Sequence, residues 1–269
     1  MRKLLALLIA SCAAGVCAQE PAQRPNNFPT PARLLAAEAE LPSGKPVDFE
    51  KAARGLRSAN PLTRKAAIRA LGSQDNVRAV PLLGEILLKL GEPVDVRAAA
   101  ATALGRVRNW RAAGFLKQAL RDSEREVRFA SALALGKTKA PGTLPLLAGT
   151  LGNDSDWWVR FAAAVALGKD KDPRSVDALG AAADLDGEWQ VRAQAVRSLG
   201  EIGSRDAALA LGRVLKDKDG AVRAAAATEL GGISGLDSIN LLAASLHDET
   251  DEAAREAMTQ SLKKLLAKP

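Results

Sequence analysis

The residues that most often carry catalysis are scarce in this sequence. His247 is its one histidine, and both cysteines, Cys12 and Cys17, lie near the start of the chain. One histidine cannot build a histidine-based metal site, and no serine–histidine–aspartate set or glycine-rich phosphate loop is recognisable. Carboxylates are abundant, but most fall in turns, where backbone hydrogen bonds explain them. The sequence predicts no catalytic residue, no metal ion and no cofactor, and it leaves open a site made of carboxylates alone.

The most regular polar feature is a series of arginines spaced 31 to 33 residues apart: Arg64, Arg97, Arg128, Arg160, Arg192, Arg223 and Arg255. Four aspartates, Asp122, Asp154, Asp186 and Asp217, come six residues before Arg128, Arg160, Arg192 and Arg223. Each of these arginines is expected to pair with the carboxylate six residues earlier. Charge-assisted pairs repeated between layers would fix the register of stacking. We call these pairs, together with Arg97, the structural ladder, and an anion-binding ladder is the alternative.

Tryptophans mark a second candidate site. Trp157 and Trp189 each lie three residues before a ladder arginine in consecutive units, and Trp158 adjoins the first. Equivalent positions in stacked layers lie about 10 Å apart, so one aromatic patch is expected near the turns between units. Aromatic residues beside arginine and aspartate are typical of interface anchors. The alternative is that these rings only fill gaps in an alanine-rich stack.

A third candidate surface combines charge with an apolar neighbour. Arg111, Lys117 and Arg121 follow one another in one unit, whereas the corresponding helix of the next unit (143–152) carries no charge. An apolar region beside a basic entrance would suit a peptide or an acidic partner. Burial of the apolar residues is the alternative explanation.

The residues around each ladder arginine predict a pair of helices. Counting from the arginine, positions −1, +3, +4 and +7 are apolar or small in nearly every copy, which is one stripe of an amphipathic helix. Glycine follows the +7 leucine in six copies and is expected to end this first helix in a left-handed conformation. A pair of leucines four residues apart then predicts a second helix. Aromatic residues make up only 3% of the chain, which also favours an all-α class over a β class.

The segments VRFASALALG (127–136) and VRFAAAVALG (159–168), each followed by a leucine-rich helix, resemble HEAT repeats. The resemblance is to the short repeats of phycobilin-lyase-type proteins. It implies a right-handed α-solenoid of stacked antiparallel helix pairs over residues 60–269, preceded by an N-terminal helical cap at 32–59. The family includes scaffolds, adaptors and a few enzymes, so the resemblance is nearly silent on activity.

The beginning of the chain has the pattern of a signal peptide. Arg2 and Lys3 precede an apolar stretch too short to span a bilayer, and small residues end it at Ala18. We expect a signal peptide at 1–18, a proline-rich linker at 19–31 and a periplasmic or extracellular location. Lipidation of Cys12, which would attach the chain to a membrane, is the alternative.

Together these features predict an exported scaffold that binds a protein or peptide on its solenoid surface without catalysis. One alternative is an accessory or lyase-like protein that binds a small ligand or chromophore. A third is a HEAT-like binder of nucleic acid, which the basic formal charge of +7 permits and export argues against.

Overall fold

The computed structural model describes residues 48–73 and 76–267, and within these residues it has fourteen α-helices, two short 3-10 helices and no strand. The predicted signal peptide, the linker, Cys12 and the first part of the predicted cap lie outside the described residues. In the described part of the chain, no helix combines the length and the apolar character needed to cross a membrane. The expected all-α class is confirmed.

The helices form six pairs and one final helix. Helix α1 spans Phe49–Gly55, inside the predicted cap, and packs on α2. The first helices of the pairs, with the final helix, are α2 (Pro61–Gly72), α4 (Val94–Val107), α6 (Arg125–Thr138), α8 (Trp157–Lys169), α10 (Trp189–Ile202), α12 (Gly220–Leu230) and α14 (Glu252–Leu266). The second helices are α3 (Ala79–Leu88), α5 (Ala113–Ala119), α7 (Thr143–Asn153), α9 (Val176–Leu185), α11 (Arg205–Val214) and α13 (Leu236–Leu246). The 3-10 segments Trp110–Ala112 and Pro173–Ser175 lead into α5 and α9.

The first helices form the middle of the stack. Each packs against the first helix of the next pair and against second helices. In α6 and α8 almost every side chain from the −1 valine onwards is at least half-buried, because alanine fills most positions that a solvent-facing helix would give to polar residues. The second helices bury one leucine-rich side and leave the other exposed. This arrangement confirms the predicted solenoid of stacked helix pairs.

The repeated glycine has a different role from the one expected. Gly72, Gly105, Gly136 and Gly168 lie within helices and have no left-handed backbone. A Cβ atom at Gly105 would lie 2.8 Å from the Cα of Ala134 on the next first helix. The glycines are therefore the points of closest approach between neighbouring first helices, where no side chain fits.

Replacing Gly105 by alanine should therefore destabilise the protein although alanine favours helix. Forcing a methyl group against the α6 backbone should lower the free energy of unfolding by about 1–3 kcal/mol. Gly149 in α7 supplies the control, because a Cβ there would meet nothing within 4 Å. Gly149→Ala should raise stability by about 0.5–1 kcal/mol in the same urea titration. Equal effects of the two changes would contradict the close-approach explanation.

Candidate functional site

The ladder arginines bridge two successive inter-repeat turns. The Nε and Nη2 atoms of Arg160 donate to the two carboxylate oxygens of Asp186 at 2.7 and 2.9 Å, and its Nη1 atom donates to the carbonyl of Asp154 at 2.9 Å. The carboxylate thus belongs to the following turn, and the turn six residues earlier supplies only backbone carbonyls. The expected pairing with the aspartate six residues earlier is wrong, because the planar guanidinium presents two separate edges of donors.

The same arrangement repeats at four other arginines of the stack, and at Arg97 the carboxylate contact is kept while the buried Nε has no hydrogen-bond partner among the described residues. Arg97 pairs with Asp122, Arg128 with Asp154, Arg192 with Asp217 and Asp219, and Arg223 with Glu249. Arg64 likewise pairs with Glu92. Sequence reasoning missed Glu92 and Glu249. Glu249 precedes the next first helix by three residues, as the aspartates do, whereas Glu92 precedes it by two. We name the row of inter-repeat turns that carries these pairs the ladder edge.

Five of the ladder carboxylates also shape their own turns. Asp154, Asp186 and Asp217 accept a hydrogen bond from the backbone N–H two residues later, at 2.9, 2.9 and 2.8 Å. Glu249 does the same with the N–H of Asp251 at 2.8 Å. One carboxylate therefore holds the local turn and receives the arginine of the preceding repeat at once, which couples the folding of adjacent repeats.

Hydrogen bonding shifts the pKa values of the ladder residues in favour of their charged forms. The hydrogen bonds that Arg128 and Arg160 donate to Asp154 and Asp186 raise the pKa values of the two arginines. The hydrogen bonds from Arg223 lower the pKa of Glu249 to about 2. Because the guanidinium groups are already engaged by carboxylates and carbonyls, the geometry supports a structural role and not an anion-binding one.

The three predicted tryptophans lie at the ladder edge and are half-buried. The ring of Trp158 contacts those of Trp157 and Phe129, at centroid distances of 5.7 and 6.1 Å, and the Arg125 guanidinium lies 5.1 Å from its centroid. Trp158 thus fills the space between α6 and α8. Trp189 begins α10, next to α8, and within the described residues its ring contacts no other aromatic ring. The structure therefore brings Trp157 and Trp158 together, and a patch that includes Trp189 stays a prediction.

The predicted basic entrance is spread across the repeat. Arg111 lies in the turn before α5, Lys117 lies on the exposed side of α5, and Arg121 lies just beyond its end. All three are exposed, but ten residues separate the first from the last. They form a strip along the second helix and not a compact site.

A further group of cations lies at the opposite edge from the ladder, in the turns inside the repeats. Arg108, Lys139 and Lys171 are exposed and stand eleven residues after ladder arginines in three consecutive repeats. We name these three residues the basic row. The surrounding turn segments, 106–111, 137–142 and 169–175, hold eight cations and two aspartates. Sequence reasoning missed the row, although its spacing is visible in the sequence.

Trp110 lies beside the basic row and is the most exposed tryptophan of the chain. Its side chain is 59% exposed, and the Arg111 guanidinium lies 5.0 Å from its ring centroid. Asn109 orders this turn by accepting a hydrogen bond from the Arg111 N–H at 3.0 Å. An exposed indole under a guanidinium is well suited to binding a partner, because both groups lose little conformational freedom on contact.

No metal centre is evident in the described part of the chain. Across residues 48–73 and 76–267, no group of three or more histidine, cysteine or acidic side chains is placed to hold an ion.

Comparison with known proteins identifies the family. The stacked helix pairs define an α-solenoid repeat protein. A HEAT-repeat family model matches residues 85–168, 115–189 and 176–263, which together span more than half of the chain. The chain therefore belongs to the HEAT-repeat family. No curated protein matched it significantly.

Solved structures share the architecture at low sequence identity. Human deoxyhypusine hydroxylase is 21% identical, with 90% of this chain and 92% of that one covered and a TM-score of 0.43. The CpcE–CpcF complex of phycocyanin lyase from Nostoc sp. PCC7120 is 21% identical, with 91% and 100% covered and a TM-score of 0.50. Kap121p bound to Pho4p is 15% identical, with 81% of this chain but 29% of that chain covered and a TM-score of 0.54. At these identities the likeness shows the fold alone.

Removing the arginine of one internal ladder pair should destabilise the protein strongly. Arg160→Met leaves the buried Asp186 carboxylate without its cation and should lower the free energy of unfolding by about 3 kcal/mol in urea. Arg174→Met is the matched control, because the Arg174–Asp172 pair is equally short at 2.6 Å but its arginine side chain is 81% exposed. The control should change stability little. A similar loss in both variants would argue against the ladder as the coupling between repeats.

The Arg223–Glu249 pair, the last pair of the ladder, should give a distinct dependence of stability on pH. Since the pKa of Glu249 falls from 4.5 to about 2 on folding, its contribution is complete above pH 4.5 and disappears as the pH falls towards about 2. Glu249→Gln should therefore lower stability at neutral pH and flatten the pH dependence in that window. Urea titrations of both proteins at a series of pH values measure this, and parallel curves would contradict it.

Proposed function

We propose that this protein is an exported HEAT-repeat scaffold that binds a protein or peptide partner on its solenoid surface and catalyses no reaction of its own. The observation that carries the proposal is Trp110, a large aromatic side chain that stays 59% exposed with Arg111 over its ring. Tryptophan and arginine are the residues most enriched among the energetic centres of protein interfaces.

The scaffold supports this surface by holding it rigid. The turns at one edge are tied together by the ladder, and the first helices are packed to backbone contact. A surface formed before binding loses little conformational entropy when a partner docks. Kap121p bound to Pho4p is an example of a protein with a similar fold that holds a second protein. The signal-peptide pattern of residues 1–18 supports export, so the partner would be periplasmic or extracellular.

A second candidate function, binding of a small ligand, has one specific place in the structure. A depression of about 450 Å³ lies between α12 and α14, lined by Thr228, Glu256, Gln260 and Lys264 among others. Its volume falls in the range of small-molecule sites, but it is open and mainly polar. This site would correspond to the ligand-binding or chromophore-binding alternative.

Replacing Trp110 by alanine should weaken partner binding and leave the fold intact. We expect at least a tenfold loss of affinity, about 1.4 kcal/mol, because truncation of an aromatic anchor removes most of its contact area. The exported protein with a C-terminal tag would be crosslinked in intact cells, and captured proteins identified by mass spectrometry. The intact mass of the purified protein would also report cleavage after Ala18 or lipid on Cys12.

Two control variants locate the site. Leu90→Ala removes a side chain that is 88% exposed elsewhere and should not affect capture. Loss of the partner in Trp157→Ala/Trp189→Ala but not in Trp110→Ala would move the site to the ladder edge. No protein above background, with an absorbing small molecule that co-purifies, would replace the scaffold proposal by the ligand-binding one.

A further inference from the structure

The basic row has a backbone conformation that its side chains disfavour. Arg108, Lys139 and Lys171 have φ values of 49°, 50° and 51°, in the left-handed region. The equivalent position of the next repeat is Gly203, with a φ of 66°. This conformation is unfavourable for a residue with a side chain, because the Cβ atom lies too close to the following carbonyl oxygen, and glycine avoids this contact. Backbone fit alone would favour glycine in all four repeats, so it does not account for three cations.

The row is linear and regular. Its members end or follow α4, α6 and α8, which pack against one another in sequence. Neighbouring helices of this kind lie about 10 Å apart, so the three cations span about 20 Å along the edge. A peptide in the polyproline II conformation advances about 3.1 Å per residue and has three residues per turn. Side chains three residues apart therefore lie on one face of such a peptide, about 9 Å apart, which matches the distance between successive cations.

The charges and apolar groups at this edge favour a peptide over other anionic partners. Asp170 and Asp172 interrupt the positive field in the fourth repeat, where a membrane or a nucleic acid would need it continuous. Within the three turns of the basic row (106–111, 137–142 and 169–175), Trp110 is the one large apolar side chain that is exposed. Binding of single-stranded nucleic acid uses several stacking platforms, and membrane association uses more than one apolar anchor.

We propose that the basic row binds an extended acidic segment of a partner protein, with carboxylates about three residues apart and an apolar side chain on Trp110. This inference rests on the proposed scaffold function and names the chemistry of its partner. Arg108, Lys139 and Lys171 pair with the successive carboxylates, and Arg111 holds the indole in place. Asp172 is engaged by Arg174 at 2.6 Å, which leaves Asp170 as the main repulsive group.

The test uses fluorescently labelled peptides of about 12 residues and anisotropy measured on the full chain. One peptide has aspartate at every third position and a terminal leucine, and its isomer has the same composition with the aspartates in one block. The spaced peptide should bind at least tenfold more tightly than the block isomer, and its affinity should fall as NaCl rises from about 50 to about 200 mM. Equal affinities for the two peptides would overturn the inference.

Glycine variants separate binding from folding. Arg108→Gly/Lys139→Gly/Lys171→Gly removes three charges and relieves the backbone, so stability should be unchanged or higher while the spaced peptide loses at least tenfold in affinity. Lys51→Ala/Lys216→Ala/Lys218→Ala removes three exposed cations elsewhere and should retain binding. Asp170→Asn should tighten binding several-fold. Retained binding in the glycine variant, or equal loss in the control, would overturn the inference.

The remaining outcomes would identify a different partner, or would show which of the two proposals fails, the acidic-segment inference or the scaffold function. Vesicles of phosphatidylglycerol and phosphatidylcholine, or a thymidine oligonucleotide, bound more tightly than the spaced peptide would overturn the proposal. A crosslinked cellular partner retained by the glycine variant would overturn this inference and leave the scaffold function standing. Spaced-peptide binding without any captured cellular protein would instead count against the scaffold function alone.

Discussion

The guanidinium fork of the ladder arginines is the interaction on which the rest of the structure depends. Except at Arg97, one edge of each paired guanidinium binds the carbonyls of the turn before its own helix, and the other binds the carboxylate of the next turn. The carboxylate in turn holds the N–H that shapes its own loop. Short helices such as these are not stable alone in water, so a repeat acquires its structure together with its neighbours.

Close packing of the first helices is the second constraint, and it determines which surfaces remain for function. In the inner pairs, alanine and glycine let the first helices approach to backbone contact, so little of the surface of those helices reaches solvent. The ladder edge is likewise committed to structure, since its arginines, carboxylates and Trp158 contact one another. The exposed sides of the second helices and the turns inside the repeats are the surfaces left to vary. Trp110 and the basic row lie in these turns.

A binding surface in the turns of a rigid stack has a clear physical advantage. The positions of Arg108, Lys139 and Lys171 are set by the spacing of the helices and not by flexible loops. The left-handed backbone at three consecutive members of the basic row destabilises the folded state, and strained backbone conformations of this kind cluster at functional sites. Recognition by a surface of this kind is static, which agrees with the proposed scaffold function.

Periodicity in the sequence was enough to predict the helix pairs, the solenoid and the resemblance to HEAT repeats, because helical stripes and repeat length are local properties of the chain. It also identified the ladder arginines, but not their partners. Which carboxylate meets Arg160, the one six residues before or the one 26 residues after, depends on how two repeats stack. The role of the repeated glycine was misassigned for the same reason, since a left-handed cap and a close helix contact require the same residue type.

The candidate site depended still more on the tertiary structure. The sequence drew attention to Trp157, Trp158 and Trp189 by their register, yet burial left Trp110 as the most exposed tryptophan. Each member of the basic row lies eleven residues after a ladder arginine, and this spacing is visible in the sequence. The spacing alone does not show that these residues are exposed or what backbone conformation they adopt. The sequence by itself determined that a pair of helices repeats along the chain, because the pattern that defines each helix lies in residues close together in the sequence. Only the stacking of repeats decided which of those residues are exposed on the surface, because exposure is set by contacts between segments distant in the chain.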